Sequence, residues 1–351
     1  MVKKLSVLEI AVFTLFILPI LCGSNFADEV KSEDCFFKSS LHHTNYGMNY
    51  WYSKENGGLE NLTGIPYSSL DCRSCHITTC CDECHKTAKE GKTIYSANHA
   101  NQIDICLKCH NREKSIMKID KSANQEDVHF SKGMVCMDCH TQRELHGDGT
   151  IYNSMKQEGA MDADCKNCHE KVVISKSHVV HKGKLDCKAC HTRHVLSCTN
   201  CHFDTFLNNG KKVAIPQSGW TFLMNYRGKV SSANMQTFLV ENKKTFLLFA
   251  PNMSHSIMKE GRHCGDCHAS DNIVKVSKGS IDIISIRDGK AENLKGIIPV
   301  VDGVDYKCVY MDREDGNWVP VKKPDKPLLQ YAGYGEPLSD EQLKKLSEKR
   351  D

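Results

Sequence analysis

Cys187-Lys188-Ala189-Cys190-His191-Thr192-Arg193-His194-Val195-Leu196-Ser197-Cys198-Thr199-Asn200-Cys201-His202 carries the pattern Cys-x-x-Cys-His twice in sixteen residues. Upstream of it the pattern recurs at Cys72, Cys75, His76; Cys81, Cys84, His85; Cys106, Cys109, His110; Cys136, Cys139, His140; and Cys165, Cys168, His169. Downstream it occurs once more, at Cys264, Cys267, His268, which makes eight copies in 351 residues. A chain with this much Cys and His would contain the pattern about 0.06 times by chance.

The spacing is that of covalent haem attachment: two thiols add to the vinyl groups of one haem and the adjacent His binds iron. Each copy therefore predicts one haem, and the set predicts eight covalently bound haem c groups. Zinc also uses paired Cys-x-x-Cys groups, but a zinc ribbon gives no reason for His to follow the second Cys in eight copies of eight.

Residues 1–24 read as an export signal, with Lys3 and Lys4 ahead of an apolar run from Ile10 to Leu21 and small residues at Gly23 and Ser24. The alternative is an uncleaved anchor, because Leu5 to Leu21 nearly reaches spanning length if Glu9 is tolerated. Export agrees with the cofactor, since c-type haem is attached outside the cytoplasm, where free thiols and disulfides persist. A periplasmic or other extracytoplasmic location follows, with membrane contact only through the signal if it is retained.

The formal charge is +3. Removing Lys3, Lys4 and Glu9 with the signal leaves about +2. Sixteen propionates, with one positive charge on each of eight ferric cores, then bring the oxidised holoprotein to roughly −6, and the reduced one, without those charges, to roughly −14. The basic residues thus read as propionate partners, and no basic run with interleaved aromatics points to nucleic acid.

Seven motifs between residues 72 and 202 amount to one per about 19 residues. That density leaves little sequence for a separate apolar centre. The predicted fold class is a multihaem cytochrome c: a haem-stack core wrapped by short helices and loops, with small β-rich elements in the C-terminal part. The expected order is a strap at 25–71, a seven-haem core at 72–202, a β-hairpin segment with the eighth site at 203–268, and a β-rich extension at 269–351. Within it, Trp220 to Tyr226, Met235 to Val240 and Lys244 to Phe249 read as strands. So do Ile281 to Ile286 and Tyr306 to Met311, with turns at Gly289 and Asp315-Gly316. Leu338 to Arg350 reads as a short helix capped by Ser339.

Eighteen histidines less the eight in motifs leave ten, enough for a second His on every iron. His99, His129, His181 and His255 are the first candidates for distal ligands, then His146, His178 and His194, and then His42 and His43 in the strap. His99 and His129 each precede the next motif by seven residues. This suggests a loose repeat in which an upstream His serves a neighbouring haem. Any of these could instead be a solvent or propionate contact. With so many spare histidines most irons are expected to be bis-His and of low potential. Cys35, Cys80 and Cys308 stand outside the motifs, with no role assigned.

The motif set, with Tyr52-Ser53-Lys54-Glu55-Asn56-Gly57-Gly58 and Leu62-Thr63-Gly64-Ile65-Pro66-Tyr67 ahead of the first copy, resembles the octahaem tetrathionate reductase family. That family is related more distantly to hydroxylamine oxidoreductases and multihaem nitrite reductases. The resemblance implies a mostly bis-His array with one haem ligated by Lys, where small sulfur or nitrogen oxyanions react. Lys86, Lys89 and Lys92 are candidates for that lysine by position alone.

Two functions are therefore expected. One is an electron conduit between redox partner proteins or quinol-linked donors. The other is an oxidoreductase for tetrathionate, nitrite or hydroxylamine, which needs one open or weakly ligated iron.

Overall fold

The computed structural model describes residues 32–70, 79–171, 175–202, 214–240, 243–314 and 317–350. The export signal, the first motif at Cys72, Cys75 and His76, and the turn at Asp315-Gly316 lie outside the described residues. Among the described residues no helix is long and apolar enough to cross a membrane.

The chain up to His191 is built of short helical pieces, most of them four to eight residues long, with a longer helix at Asn111–Ser122. The two-stranded hairpin of β1 (Lys86–Lys89) and β2 (Lys92–Tyr95) interrupts them. Few side chains bury here: among the described residues between 79 and 191 the buried apolar ones are Ile105, Leu107, Ile116, Ala160 and Ala189. Such short helices gain little from backbone bonding alone and need packing to persist.

After His191 the chain turns to strands: β3 (Val195–Thr199), β4 (Cys201–His202), β5 (Ile215–Tyr226), β6 (Lys229–Val240) and β7 (Lys244–Pro251). They are followed by β8 (Ser280–Asp282), β9 (Ile284–Arg287), β10 (Lys290–Asn293), β11 (Gly296–Pro299), β12 (Asp305–Lys307), β13 (Met311–Glu314), β14 (Asn317–Pro320), β15 (Leu328–Tyr331) and β16 (Gly335–Glu336). An eight-stranded sheet has the central order β11-β5-β6-β7-β15, with β3 and β16 added to β5 and β4 added to β6. The expected strands at 220–226, 235–240 and 244–249 lie within β5, β6 and β7, an antiparallel meander.

The β structure is larger than the small elements expected. Trp220, Phe222, Met224, Ala233, Met235 and Phe249 alternate inward along β5 to β7 and pack against Ile281, Ile283, Ile298 and Tyr306. The later strands supply the other half of that core, because β11 and β15 add to the meander in parallel. A period-two apolar pattern buried on one face is enough for a conventional sheet core. The terminal helix runs Asp340–Ser347, and Ser339 caps it with Gln342 completing a capping box.

The strap is a series of short turns that reaches both regions. Tyr52, Leu59, Leu62 and Ile65 pack with Phe246 and Leu328 of the sheet. His42, at the other end, is carried into the motif region on the one-turn helix Leu41–Thr44.

Candidate haem-ligand array

Six of the motifs are single helical turns. Cys81–His85 and Cys187–His191 are α-helical. In four others the motif His amide donates to the carbonyl of the first Cys: His110 to Cys106 at 3.0 Å, His140 to Cys136 at 3.0 Å, His169 to Cys165 at 2.8 Å and His268 to Cys264 at 2.8 Å. Residues three apart on such a turn share a face, so both thiols point one way while the His follows one turn on. Aspartates fix the turns: Asp138 accepts from the Val135 amide at 2.7 Å, Asp164 from Lys166 at 2.9 Å, Asp186 from Lys188 at 3.1 Å and Asp266 from His263 at 2.9 Å. These are the donors a helix start leaves unpaired.

Cysteine is ordinarily among the most buried residues. Yet Cys81, Cys84, Cys109, Cys139, Cys165, Cys168 and Cys187 are exposed, as attachment to a large planar group requires. Among the described residues no three His, Cys, Asp or Glu side chains converge as a metal cluster. A tetrahedral zinc site needs four ligands, whereas a haem asks the protein for two axial ones.

Two axial ligands are what the histidines present. His85 faces His146 with ring centroids 6.0 Å apart, and His110 faces His42 at 6.2 Å. His140 faces His255 at 6.3 Å and His169 faces His129 at 6.2 Å. His191 faces His178 at 6.3 Å and His268 faces His181 at 6.2 Å. Every pair joins one motif His to one non-motif His. Ordinary ring contacts here scatter more widely, from 5.0 Å for Trp220 and Phe222 to 6.4 Å for Phe249 and Tyr331. Two metal–imidazole bonds of about 2.0–2.1 Å plus two ring radii of about 1.1 Å give a separation of about 6.3 Å.

The second nitrogen of several rings is held as a metal-binding imidazole requires. Nδ1 of His191 donates to the Met258 carbonyl at 3.1 Å, Nδ1 of His181 to the Ser177 carbonyl at 2.7 Å, and Nδ1 of His268 to the Lys345 carbonyl at 3.0 Å. A carbonyl only accepts, so Nδ1 carries the proton and Nε2 keeps its lone pair. Nδ1 of His140 lies 2.6 Å from Glu144, and Nδ1 of His129 lies 3.3 Å from Asp127. Burial pushes the Glu144 carboxyl up, but the His140 ring and the Ala163 and Asp162 amides outweigh it and hold the group below its ordinary value. Burial, reinforced by His110, His146 and His140, pulls His42 down to about 4, which keeps its ring neutral. These residues fit a haem iron at six places.

The motifs also adjoin one another in a row. Cys84 lies near Cys106 and Cys109, and Cys106 lies beside Cys136. Cys139 lies near Cys168, Cys165 beside Cys187, and Cys190 near Cys264.

Three of the candidate distal ligands are placed otherwise. His194 is buried with Nε2 2.8 Å from Asp120, beside Arg193, and faces no described motif ring. His43 lies edge-on to Phe37 at 5.5 Å. His99 sits on the turn Ala97–Ala100, its amide bonded to Ser96, and forms no such pair with a described motif His. Lys86, Lys89 and Lys92 are exposed on the β1–β2 hairpin, Lys86 2.8 Å from Asp82. Lys156 is better shielded, and burial with Lys188 nearby pulls its ammonium down to about 8.

The seventh motif departs from the other described ones. Cys198 lies in β3, just before its last residue Thr199, Cys201 and His202 form β4, and Asn200 between them has a left-handed φ of 55°. Asn200 clamps the main chain of Met311, accepting from its amide and donating to its carbonyl, both at 2.7 Å. Nε2 of His202 also reaches that carbonyl, at 2.6 Å.

The sequence could not reveal the distant partners that orient the rings, such as Met258 and Lys345; Glu144, four residues after His140, is a local one, at a spacing that brings the two side chains together. No protein-family model, curated protein or solved structure matches the chain.

Proposed function

We propose that the chain is an exported multihaem c-type cytochrome that passes electrons along a row of closely spaced bis-His haems. The observation that carries this reading is the set of six motif histidines, each facing one non-motif histidine at 6.0 to 6.3 Å. Haem iron held there would supply a one-electron ferric/ferrous couple, kept at low potential by two imidazoles.

The chain's own groups do the rest. The Asp-capped turns present paired thiols to one side. The carbonyls of Met258, Ser177 and Lys345 fix the tautomer of His191, His181 and His268, and Glu144 makes His140 a more basic ligand. The cysteine neighbours give the row an order: second, third, fourth, fifth, sixth and eighth motif. Redox proteins or quinol-linked donors are the partners this reading asks for.

Oxyanion reduction, which the resemblance to octahaem tetrathionate reductases implies, needs an iron with an open or weakly held position. The six described pairs offer two histidines each, so conduction is the better supported reading.

The test is spectroscopy of the purified ferric protein. Low-spin bis-His signals at these sites, with c-type bands on reduction, are expected. A protein isolated from a host competent in haem attachment that shows no haem absorbance would end the reading.

A further inference from the structure

We propose that the seventh Cys-x-x-Cys-His, Cys198 to His202, is a structural corner of the sheet and carries no haem, so that the chain holds one haem fewer than its motif count. The inference rests on the haem reading above and concerns only this motif.

Three independent features separate it from the six that fit. The first is backbone shape. The other described motifs place their thiols three apart on one helical turn. Cys198, by contrast, is paired in β3 opposite Pro216, and Cys201 and His202 are paired in β4 opposite Phe238 and Leu239. Asn200 between them, at φ 55°, changes the direction of the chain. Its amide donates to Thr237 Oγ1 at 2.7 Å, so the corner is bonded into β6 as well as to Met311. Winding these five residues into a turn would break ladder bonds on both sides.

The second feature is the ring. In His191, His181 and His268 it is Nδ1 that donates to a carbonyl, which leaves Nε2 as the lone-pair nitrogen. In His202 it is Nε2 that meets the Met311 carbonyl, at 2.6 Å, with Asn200 Nδ2 farther off at 3.1 Å; the shorter contact is to an atom that only accepts, which assigns the proton to Nε2 and leaves it no lone pair for iron. Nδ1 faces the Asp312 carboxylate at 3.7 Å. The ring packs 5.5 Å from Trp318, and among the described residues no second histidine faces it.

The third is burial. Cys201 and His202 are 7% and 8% exposed, and Thr199 and Asn200 are 1% exposed. Each of the second to sixth motifs leaves at least one cysteine exposed and the eighth leaves both half-buried, whereas here Cys198 is half-buried and Cys201 is buried.

Mass mapping of the purified holoprotein tests the inference. After reduction, alkylation and proteolysis, the peptide spanning Cys198 to His202 is expected with two alkylated cysteines and no haem mass. The peptides of the second to sixth and eighth motifs are expected to carry haem. Haem on the 198–202 peptide overturns the inference and leaves the cytochrome reading intact. Absence of haem from every motif peptide overturns both. A second measurement uses Cys198→Ala/Cys201→Ala, for which the haem-to-protein ratio should be unchanged from wild type. A fall of one haem per chain overturns the inference, and if the variant does not accumulate, the wild-type map decides.

Discussion

At the scale of single residues, Glu144 is where chemistry beyond the motif enters. Its carboxylate accepts a hydrogen bond from His140 Nδ1 at 2.6 Å and another from the Ala163 amide at 2.6 Å. A ligand that shares its proton with a carboxylate is a stronger donor and favours ferric iron. Glu144→Gln should therefore raise the potential of one couple in the array, by about 59 mV for each tenfold loss of ferric preference. Potentiometric titration of wild type and variant would register it; an unchanged set of couples would remove Glu144 from the site. His146→Met tests a ligand directly, because thioether ligation raises a haem potential. One low-potential couple, that of the His85 site, should move upward while the others stay. Asn200 belongs to a different kind of residue. Asn200→Ala would orphan the buried Met311 amide, at about 1–3 kcal/mol, and leave the Met311 carbonyl only its contact with the His202 ring. A lowered melting temperature with unchanged haem content is the expected result.

At the scale of elements, the sheet has the better-defined interior. Phe222 on β5 is 0% exposed and lies 5.4 Å from the Phe249 ring and 5.0 Å from Trp220. Phe222→Ala should cost about 3–5 kcal/mol, readable by chemical denaturation followed at tryptophan. Strands β5 to β7 could be read from the sequence because Trp220 to Tyr226, Met235 to Val240 and Lys244 to Phe249 are apolar, aromatic runs, the last two joined by a short polar link. Their incorporation into an eight-stranded sheet could not, because β11 and β15 join in parallel from far along the chain and leave no local signal. The same limit applies to the ligands. The helical-turn motifs are local and were legible residue by residue. The partner of each motif His is set by tertiary placement: His140 meets His255 and His268 meets His181 across long stretches of sequence. The upstream spacing of His129 hinted that it serves another motif, and it faces His169. His194, similar in sequence terms, went to Asp120 instead, since a buried carboxylate competes for the same ring nitrogen.

At the scale of the whole molecule, the two halves are held together by different means. Residues 214–340 close a core of Trp220, Phe222, Met235, Phe249, Ile283 and Ile298, all 0–1% exposed. The motif region has short helices, few buried apolar side chains among its described residues and many exposed cysteines, so on the haem reading proposed above its cohesion comes from haems held between its paired histidines. Metal and haem attachment then count as folding energy there, as in small domains that are unfolded without their metal. The sheet, whose apolar area is buried by its own strands, does not depend on them in the same way. A chain produced without haem attachment should accordingly be cut readily by protease between residues 79 and 191, while a fragment covering β5 to β16 survives. Its circular dichroism should retain strand signal and lose helical signal. Equal protection of both halves in the haem-free chain would mean that the motif region holds itself together, and the histidine pairs would then have to be explained by protein packing alone.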